Sequence, residues 1–250
     1  MTSSRIKVLT YNIHKGFSVA NKQFVLYQIR EELHATDADI VFLQEIQGQH
    51  KFRETKINKW PIDTQFEFLA GRIWPHYAYG KNAIYNSGHH GNAILSKYPF
   101  IKWENINVSF LRRASRSLLH GVINLPDVNE NIHVICIHLD FVGFERRRQL
   151  KILDERIREH VPQDEPLILA GDFNDWYGRV DKQMASELEL NEVFLLLHGR
   201  HAKTFPSWQP FFPVDRIYFR GVEPIECMCL KHRPWHKLSD HLPLYAQFRF

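Results

Sequence analysis

The sequence predicts an α/β protein in which mostly antiparallel sheets pack face to face and helices cover them from outside. Short apolar runs that read as buried strands recur from one end of the chain to the other, and few amphipathic helical patterns separate them. The regular strand–helix–strand alternation of a doubly wound sheet or an α/β barrel is missing. At 250 residues the chain can bury one large core. No repeat, low-complexity stretch or linker divides it, so residues 1–250 are expected to form a single domain.

The elements follow in order. Ile6 to Tyr11 alternates apolar and polar residues and ends at Asn12, as a half-buried strand does. Val25, Ile29 and Leu33 fall at i, i+4 and i+8 and predict a helix over 22–34. Asp39-Ile40-Val41-Phe42-Leu43 reads as a buried strand that stops at Gln44-Glu45. The region 48–75 is rich in charge and aromatics, with a helix near 63–73. Gly91 to Ser96 is a short strand after a tight turn supplied by Gly88 and Gly91, and Pro99 ends it. Residues 101–110 and 115–125 are two more strands, and His133 to His138 is a buried one ending in polar atoms.

Leu150, Leu153 and Ile157 mark an amphipathic helix from Glu145 to His160. Leu167-Ile168-Leu169-Ala170 is a buried strand that stops at Gly171 and passes into Asp172-Phe173-Asn174-Asp175. A helix near 181–190 follows, then a strand from Val214 to Phe219 with charge at its start. Leu242 to Phe250 is a final alternating strand, entered through Ser239-Asp240-His241.

Composition bounds the class. Hydrophobic residues make up 44% and charged residues 24%, the balance of a soluble globular protein. A net charge of +4 permits an anionic substrate without demanding nucleic acid. The three cysteines make no disulfide framework: Cys136 lies in an apolar run, and Cys227-Met228-Cys229 lacks the second pair of a zinc site. With no secretory apolar segment near the start and no long apolar span, a cytoplasmic, monomeric protein is expected.

The strand ends carry the chemistry. Asn12, Glu45, His138, Asp172 with Asn174, Asp215, Asp240 and His241 all follow or begin strands. Singly, each has a bland reading: a turn residue, a helix cap, a core histidine, a surface ion pair of little worth. Together they place many groups that are costly to desolvate at one sheet edge, unless they serve each other or a ligand. Their oxygens suit Mg²⁺, Mn²⁺ or Ca²⁺ rather than zinc. A histidine beside carboxylates can be oriented to move a proton, and metal, histidine and amide donors together suit hydrolysis of a phosphate ester.

Six motifs in order resemble the endonuclease/exonuclease/phosphatase superfamily, the group of deoxyribonuclease I: Thr10-Tyr11-Asn12-Ile13-His14, Leu43-Gln44-Glu45, Ile137-His138-Leu139, Gly171-Asp172-Phe173-Asn174, Asp215-Arg216-Ile217 and Ser239-Asp240-His241. The segment from Gly88 to Ser96 resembles a branch of small bacterial members. The resemblance implies a four-layer α/β/β/α sandwich. It implies Glu45 as the main Mg²⁺ ligand with Asn12 and Asp240 nearby, Mn²⁺ or Ca²⁺ being substitutes. Asp172 and Asn174 would position the attacking water, Asp215 would orient the catalytic His241, and His138 would hold or protonate a phosphate oxygen. Whether His241 is general base or transition-state stabiliser stays open, since mechanisms in the family differ.

The implied activity is a metal-dependent phosphodiester or phosphoester hydrolase of the nuclease type, acting on DNA or RNA. The alternatives are a phospholipid-headgroup phosphodiesterase or small-molecule phosphatase, and a non-catalytic phosphate-binding module. His14 stands where apurinic-site endonucleases carry an aspartate, which weighs against that branch. Asn92, His14, Arg116 and His90 are candidates for gripping the phosphate. The basic runs Arg112-Arg113-Ala114-Ser115-Arg116 and Arg146-Arg147-Arg148 either track phosphates or form solvated faces, with Arg116 the better candidate because it begins a strand. Trp208, Phe211 and Phe212 line the cleft or belong to the core.

Overall fold

The computed structural model describes residues 4–109, 116–126 and 130–250. The basic run at Arg112 and Arg113 lies outside the described residues. The first half comprises β1 (Arg5–Asn12), α1 (Leu26–Ala35), β2 (Ile40–His50), α2 (Lys51–Lys56), α3 (Gln65–Ala70), β3 (His76–Tyr85), β4 (Gly88–Ser96) and β5 (Phe100–Asn107). Then come β6 (Ser117–Leu125), β7 (Glu130–His138), α4 (Gly143–His160), β8 (Leu167–Asp172), α5 (Val180–Leu188), β9 (Asn191–Glu192) and α6 (Val193–His198). The chain ends with β10 (Asp215–Arg220), β11 (Glu223–Cys229), α7 (Trp235–Leu238) and β12 (Leu244–Arg249).

The strands form two six-stranded sheets, in the orders β11-β12-β1-β2-β4-β3 and β5-β6-β7-β8-β10-β9. Among the described residues only β1–β2 and β7–β8 pair in parallel; the other ladders are antiparallel. The expected sandwich is therefore present, and alternation along each strand explains its layers. Ile6 and Val8 of β1 and Ile40 and Phe42 of β2 face Val134, Ile168, Ala170 and Ile217 across the middle core. The intervening Leu9, Tyr11, Val41 and Leu43 face outward onto Ile29, Leu33, Leu69 and Trp235 of the covering helices. On the other side Ile135, Ile137, Leu167 and Leu169 pack on Leu150, Leu153, Ile157 and Met184. Central strands buried on both faces read as continuous apolar runs, which is why they were legible.

Two expectations are corrected. β2 does not stop at Glu45; it continues to His50 through a register shift between Leu43 and Ile46 that ejects Glu45 from the ladder. Gly88 and Gly91 do not make a tight turn before the strand; both lie in β4. A Cβ at Gly91 would meet the Gly80 carbonyl oxygen at 1.8 Å, so this glycine permits close strand approach. The helix expected near 63–73 is present as α3, opened by a capping box between Thr64 and Glu67, and the short α2 precedes it in the same charged region.

Beneath α4, a buried relay crosses β6 and β7. Arg156 Nε donates to His120 Nδ1 (3.0 Å), His120 Nε2 faces His133 Nδ1 (2.8 Å), and His133 Nε2 faces Glu165 Oε2 (2.6 Å). Because Arg156 can only donate, the chain has one polarity: each ring is neutral and carries its proton on Nε2. Burial, reinforced by the neighbouring His133, pushes His120 down to about 3, and burial lowers His133 despite Glu165. The folded rings thus resist a proton that the unfolded chain accepts below the ordinary imidazole value of 6.5. Their contribution to stability is present above pH 6.5 and is lost as the pH falls below it. Thermal unfolding followed from pH 8 to pH 5 should show Tm falling below that point, and the double variant His120→Leu/His133→Leu should show a shallower fall.

Candidate active site

The two parallel strand pairs place their carboxyl ends at one edge of the sandwich. In the first sheet Asn12 lies opposite Gln44, next to Glu45; in the second His138 lies opposite Asp172. β10 runs the other way, so its first residue, Asp215, also pairs with Asp172. The loop before β12 brings Asp240 and His241 to the same edge, tied down by Ser239, whose Oγ donates to the Asn12 carbonyl at 2.7 Å.

Asp172 is the hub. Its Oδ2 accepts from Asn12 Nδ2 across the seam between the sheets (3.2 Å) and faces His138 Nε2 at 3.5 Å and His241 Nε2 at 3.8 Å. Its Oδ1 accepts from the Asn174 amide at 2.9 Å. Burial raises this carboxyl to about 7, with Asp215 adding to the rise and His241 opposing it. His241 is buried with Nδ1 on Asp215 Oδ2 at 2.9 Å. Burial alone would lower it, but Asp215 and Asp172 outweigh that and lift it to about 10, so the ring is an imidazolium at neutral pH. The ring of Phe205 lies 5.0 Å away and excludes water from one side.

A second pole forms around Glu45, which adopts φ 56° at the bulge in β2. Its carboxylate contacts Lys15 Nζ directly. Burial would raise Glu45, but Lys15, helped by His138 and His14, holds it well below the usual carboxylate range. Burial keeps His138 neutral and lowers His90 to about 4, so at pH 7 Lys15 is the dominant cation beside Glu45. Left-handed backbone at His14, Lys15 and Gly16 turns the chain so that Lys15 reaches this position. Gln65 locks the turn by donating to the Lys15 carbonyl (2.9 Å) while accepting from the Gln47 amide (2.9 Å).

Sequence profiles of known families test what this edge is. That of the Endonuclease/Exonuclease/phosphatase family matches residues 9–241. The chain belongs to that family. Among its relatives, "Uncharacterized protein YbhP" of Escherichia coli K12 is 42% identical over 241 residues, covering 96% of this chain and 95% of that one. The structure of D. rerio TDP2 with a single-strand DNA product superimposes with a TM-score of 0.75 at 20% identity, covering 99% of this chain and all of that one (100%). The Bacteroides thetaiotaomicron mannosyl-6-phosphatase Bt3783 gives 0.73 at 17% identity, covering 98% of this chain and 100% of that one. At those identities the superpositions establish the shared fold. Members of the family are phosphoester hydrolases that depend on divalent metal.

The remaining site residues sort by contact. Asn12 is held at both ends of its amide, by Asp172 and by the His14 backbone N–H (3.1 Å). His14 Nδ1 is buried without a hydrogen bond, 3.8 Å from Asp240 Oδ1. Asn174 spends its amide nitrogen on the Leu139 carbonyl at 2.9 Å. Arg116 directly precedes β6 and its field lowers both His90 and His138, while its buried Nε has no partner. Asn92 bridges the sheets through the Ser117 carbonyl (3.0 Å), and its Oδ1 is orphaned. His89 instead bonds Tyr79 Oη and is structural. Arg146 braces the site loops by donating to the carbonyls of Phe141 (3.2 Å) and Asn174 (2.9 Å), so it does not belong to a solvated face.

Sequence reasoning missed Lys15 and Gln65. The available signal was a glutamate at the end of an apolar strand, which needs a counter-charge, and a lysine inside the Asn12-Ile13-His14-Lys15-Gly16 turn.

The His241–Asp215 pair sets a titration with a definite sign. In Asp215→Asn the carboxylate that raises the imidazole is gone while burial still lowers it. The His241 pKa should then fall from about 10. Ring chemical shifts followed by NMR across the pH range check this; an unmoved titration would contradict the assignment.

Proposed function

We propose that this protein is a divalent-metal-dependent phosphodiester hydrolase of the nuclease type. The observation that carries the reading is the hub at Asp172, where a buried carboxylate meets Asn12, His138 and His241 within 3.8 Å and faces the ionised Glu45 pole. A buried acid ringed by proton-handling groups suits activation of a water.

The donor set fits a hard cation. Glu45 and Asp240 offer carboxylate oxygens, and the Asp215 Oδ1 atom is buried with no partner in the protein. Oxygens and a nitrogen of Asp172, Asp215 and His241 also lie within 4.8 Å of one another. There the buried imidazolium is fixed on Asp215, whereas the Lys15 ammonium on Glu45 ends a long flexible side chain that can move aside, so Glu45 with Asp240 is the better cradle. Asn12, held at both ends, acts chiefly by aiming Asp172. Mg²⁺, with Mn²⁺ or Ca²⁺ as substitutes, would neutralise charge on the phosphate when bound.

The protein's own groups do the rest. Asp172, aimed by Asn12 and the Asn174 amide, orients the attacking water and receives its proton. The His241 imidazolium, held by Asp215, donates a hydrogen bond to a non-bridging phosphate oxygen as negative charge builds there; the bond from water oxygen to phosphorus forms as the ester P–O bond breaks, and the departing alkoxide takes a proton from solvent. His138, Arg116, His90, His14 and Asn92 line the phosphate.

Exposed aromatics lie in the loops that adjoin the site residues in sequence: Phe141 (67%), Trp176 (40%), Tyr177 (75%), Trp208 (62%) and Phe211 (51%). The rings of Trp176 and Phe212 meet at 4.6 Å, tilted by 33°, and link two of these loops. Such faces stack on unpaired bases, and the single-strand DNA product on the related TDP2 supports that use. They also favour a second reading, a lipid-headgroup phosphodiester, because aromatic rings settle at membrane interfaces.

With Mg²⁺ or Mn²⁺, oligonucleotide or plasmid DNA should be cleaved, and Asp172→Ala or His241→Ala should lose roughly 10²–10⁴-fold in rate. Cleavage of a lipid panel with DNA left intact would select the second reading. Turnover of no phosphoester at all would leave only a phosphate-binding module.

Lys15 competes with a metal for Glu45. Lys15→Met should therefore bind Mn²⁺ more tightly, on the order of tenfold, and Glu45→Gln more weakly, as measured by calorimetry without substrate. Equal affinities in Lys15→Met and the parent would remove the competition.

A further inference from the structure

We propose that the α6 edge of the sandwich is a docking surface for an anionic lipid bilayer. The inference is independent of which phosphoester the site hydrolyses. α6 closes the edge where β11 of one sheet approaches β9 and β10 of the other. Val193 and Phe194 are buried against that edge, but the next three residues, Leu195, Leu196 and Leu197, are 42%, 56% and 36% exposed. Three consecutive residues fan over about 200° of a helix, so one packing face cannot bury them all. Met228 of β11, which lines the groove along α6, is 47% exposed. Soluble proteins scatter exposed apolar residues singly; a contiguous group marks an interaction site.

The surroundings say what covers it. A groove of about 1160 Å³ opens along α6, floored by Phe194, Cys227 and Leu230 and walled by Arg200, Lys203 and Lys231. No acidic side chain lines it, and these three cations form no ion pair among the described residues. On the opposite flank a shallow groove of about 510 Å³ joins Leu196 to Phe219, Val222 and Phe250. Its one acid, Glu223, is neutralised by Arg249 at 3.2 Å. Glu192, which caps α6, is buried and paired with His201, leaving Glu226 on β11 as the nearby acidic exception.

An apolar tip flanked by unpaired cations is complementary to a surface that is anionic outside and hydrocarbon within. Neither element suffices alone: a few leucines give weak insertion, and a few cations give salt-sensitive attraction, but together they anchor a protein peripherally. Among the described residues no helix is long and apolar enough to cross a membrane, so this contact is one of lying on the surface.

The test is flotation of the full chain with vesicles of phosphatidylcholine alone and of phosphatidylcholine with phosphatidylglycerol. The protein should float only with the anionic vesicles, and high salt should release it. Leu196→Glu/Leu197→Glu should lower the bound fraction by roughly tenfold, and Arg200→Glu/Lys231→Glu should abolish the preference for anionic lipid. Both variants should keep the parent circular dichroism and its hydrolysis of a soluble phosphodiester. Failure of the folded parent to bind anionic vesicles overturns the proposal, as do variants that bind like the parent. A dimer seen by light scattering and broken by Leu196→Glu/Leu197→Glu, with no vesicle binding, would assign the surface to a second copy of the chain instead.

Discussion

A buried carboxylate at the seam of two sheets is the constraint around which the rest is arranged. Asp172 belongs to one sheet and Asn12 to the other, and their hydrogen bond crosses the seam at 3.2 Å. A charge or a shared proton at that depth is tolerable only if its lone pairs are met, so several elements converge on it. β7 supplies His138, β10 supplies Asp215, and the loop before β12 supplies His241. Gly171 lets β8 pass close to β7 just before the carboxylate: a Cβ there would lie 2.0 Å from the Ile137 carbonyl oxygen. Fold and site are in this sense one problem, because the strand order that satisfies Asp172 also builds the cleft.

Much of this was legible in the sequence because the site sits where buried strands end. An apolar run that stops at Asp172 or His138 declares both a core strand and its exit, and six motifs in order, some closing strands and some opening them, carry the resemblance to the family. What could not be read is whatever depends on backbone handedness or on pairing across the sheets. Glu45 looks like the end of a strand; only the bulge shows that the ladder resumes beyond it. Gly91 looks like a turn residue because a glycine made necessary by a neighbouring carbonyl leaves the same letter. Lys15 was invisible because its reach depends on consecutive left-handed residues, which the sequence hints at only through Gly16. The short β9 and the edge strand β11 carry no long apolar period, being held by pairing with better-defined neighbours.

The two poles of the site divide the labour electrostatically. Around Asp172 and His241 each charge has a partner that can trade a proton with it. Around Glu45 burial keeps His138 and His90 neutral, so Lys15 is the dominant counter-charge. His138 lies between the poles, sensing Glu45 on one side and Asp172 on the other. A phosphoester spanning both would meet fixed positive charge at one end and mobile protons at the other, which is the asymmetry a hydrolytic site needs.

The Lys15–Glu45 contact bears on folding as well as on the site. Many metal sites leave clustered acids that repel one another until the ion arrives, which makes folding hostage to supply. Here the counter-ion is covalently attached to the chain and comes with every copy synthesised. If Glu45 holds a metal as proposed, folding would not have to wait for that ion to offset this carboxylate.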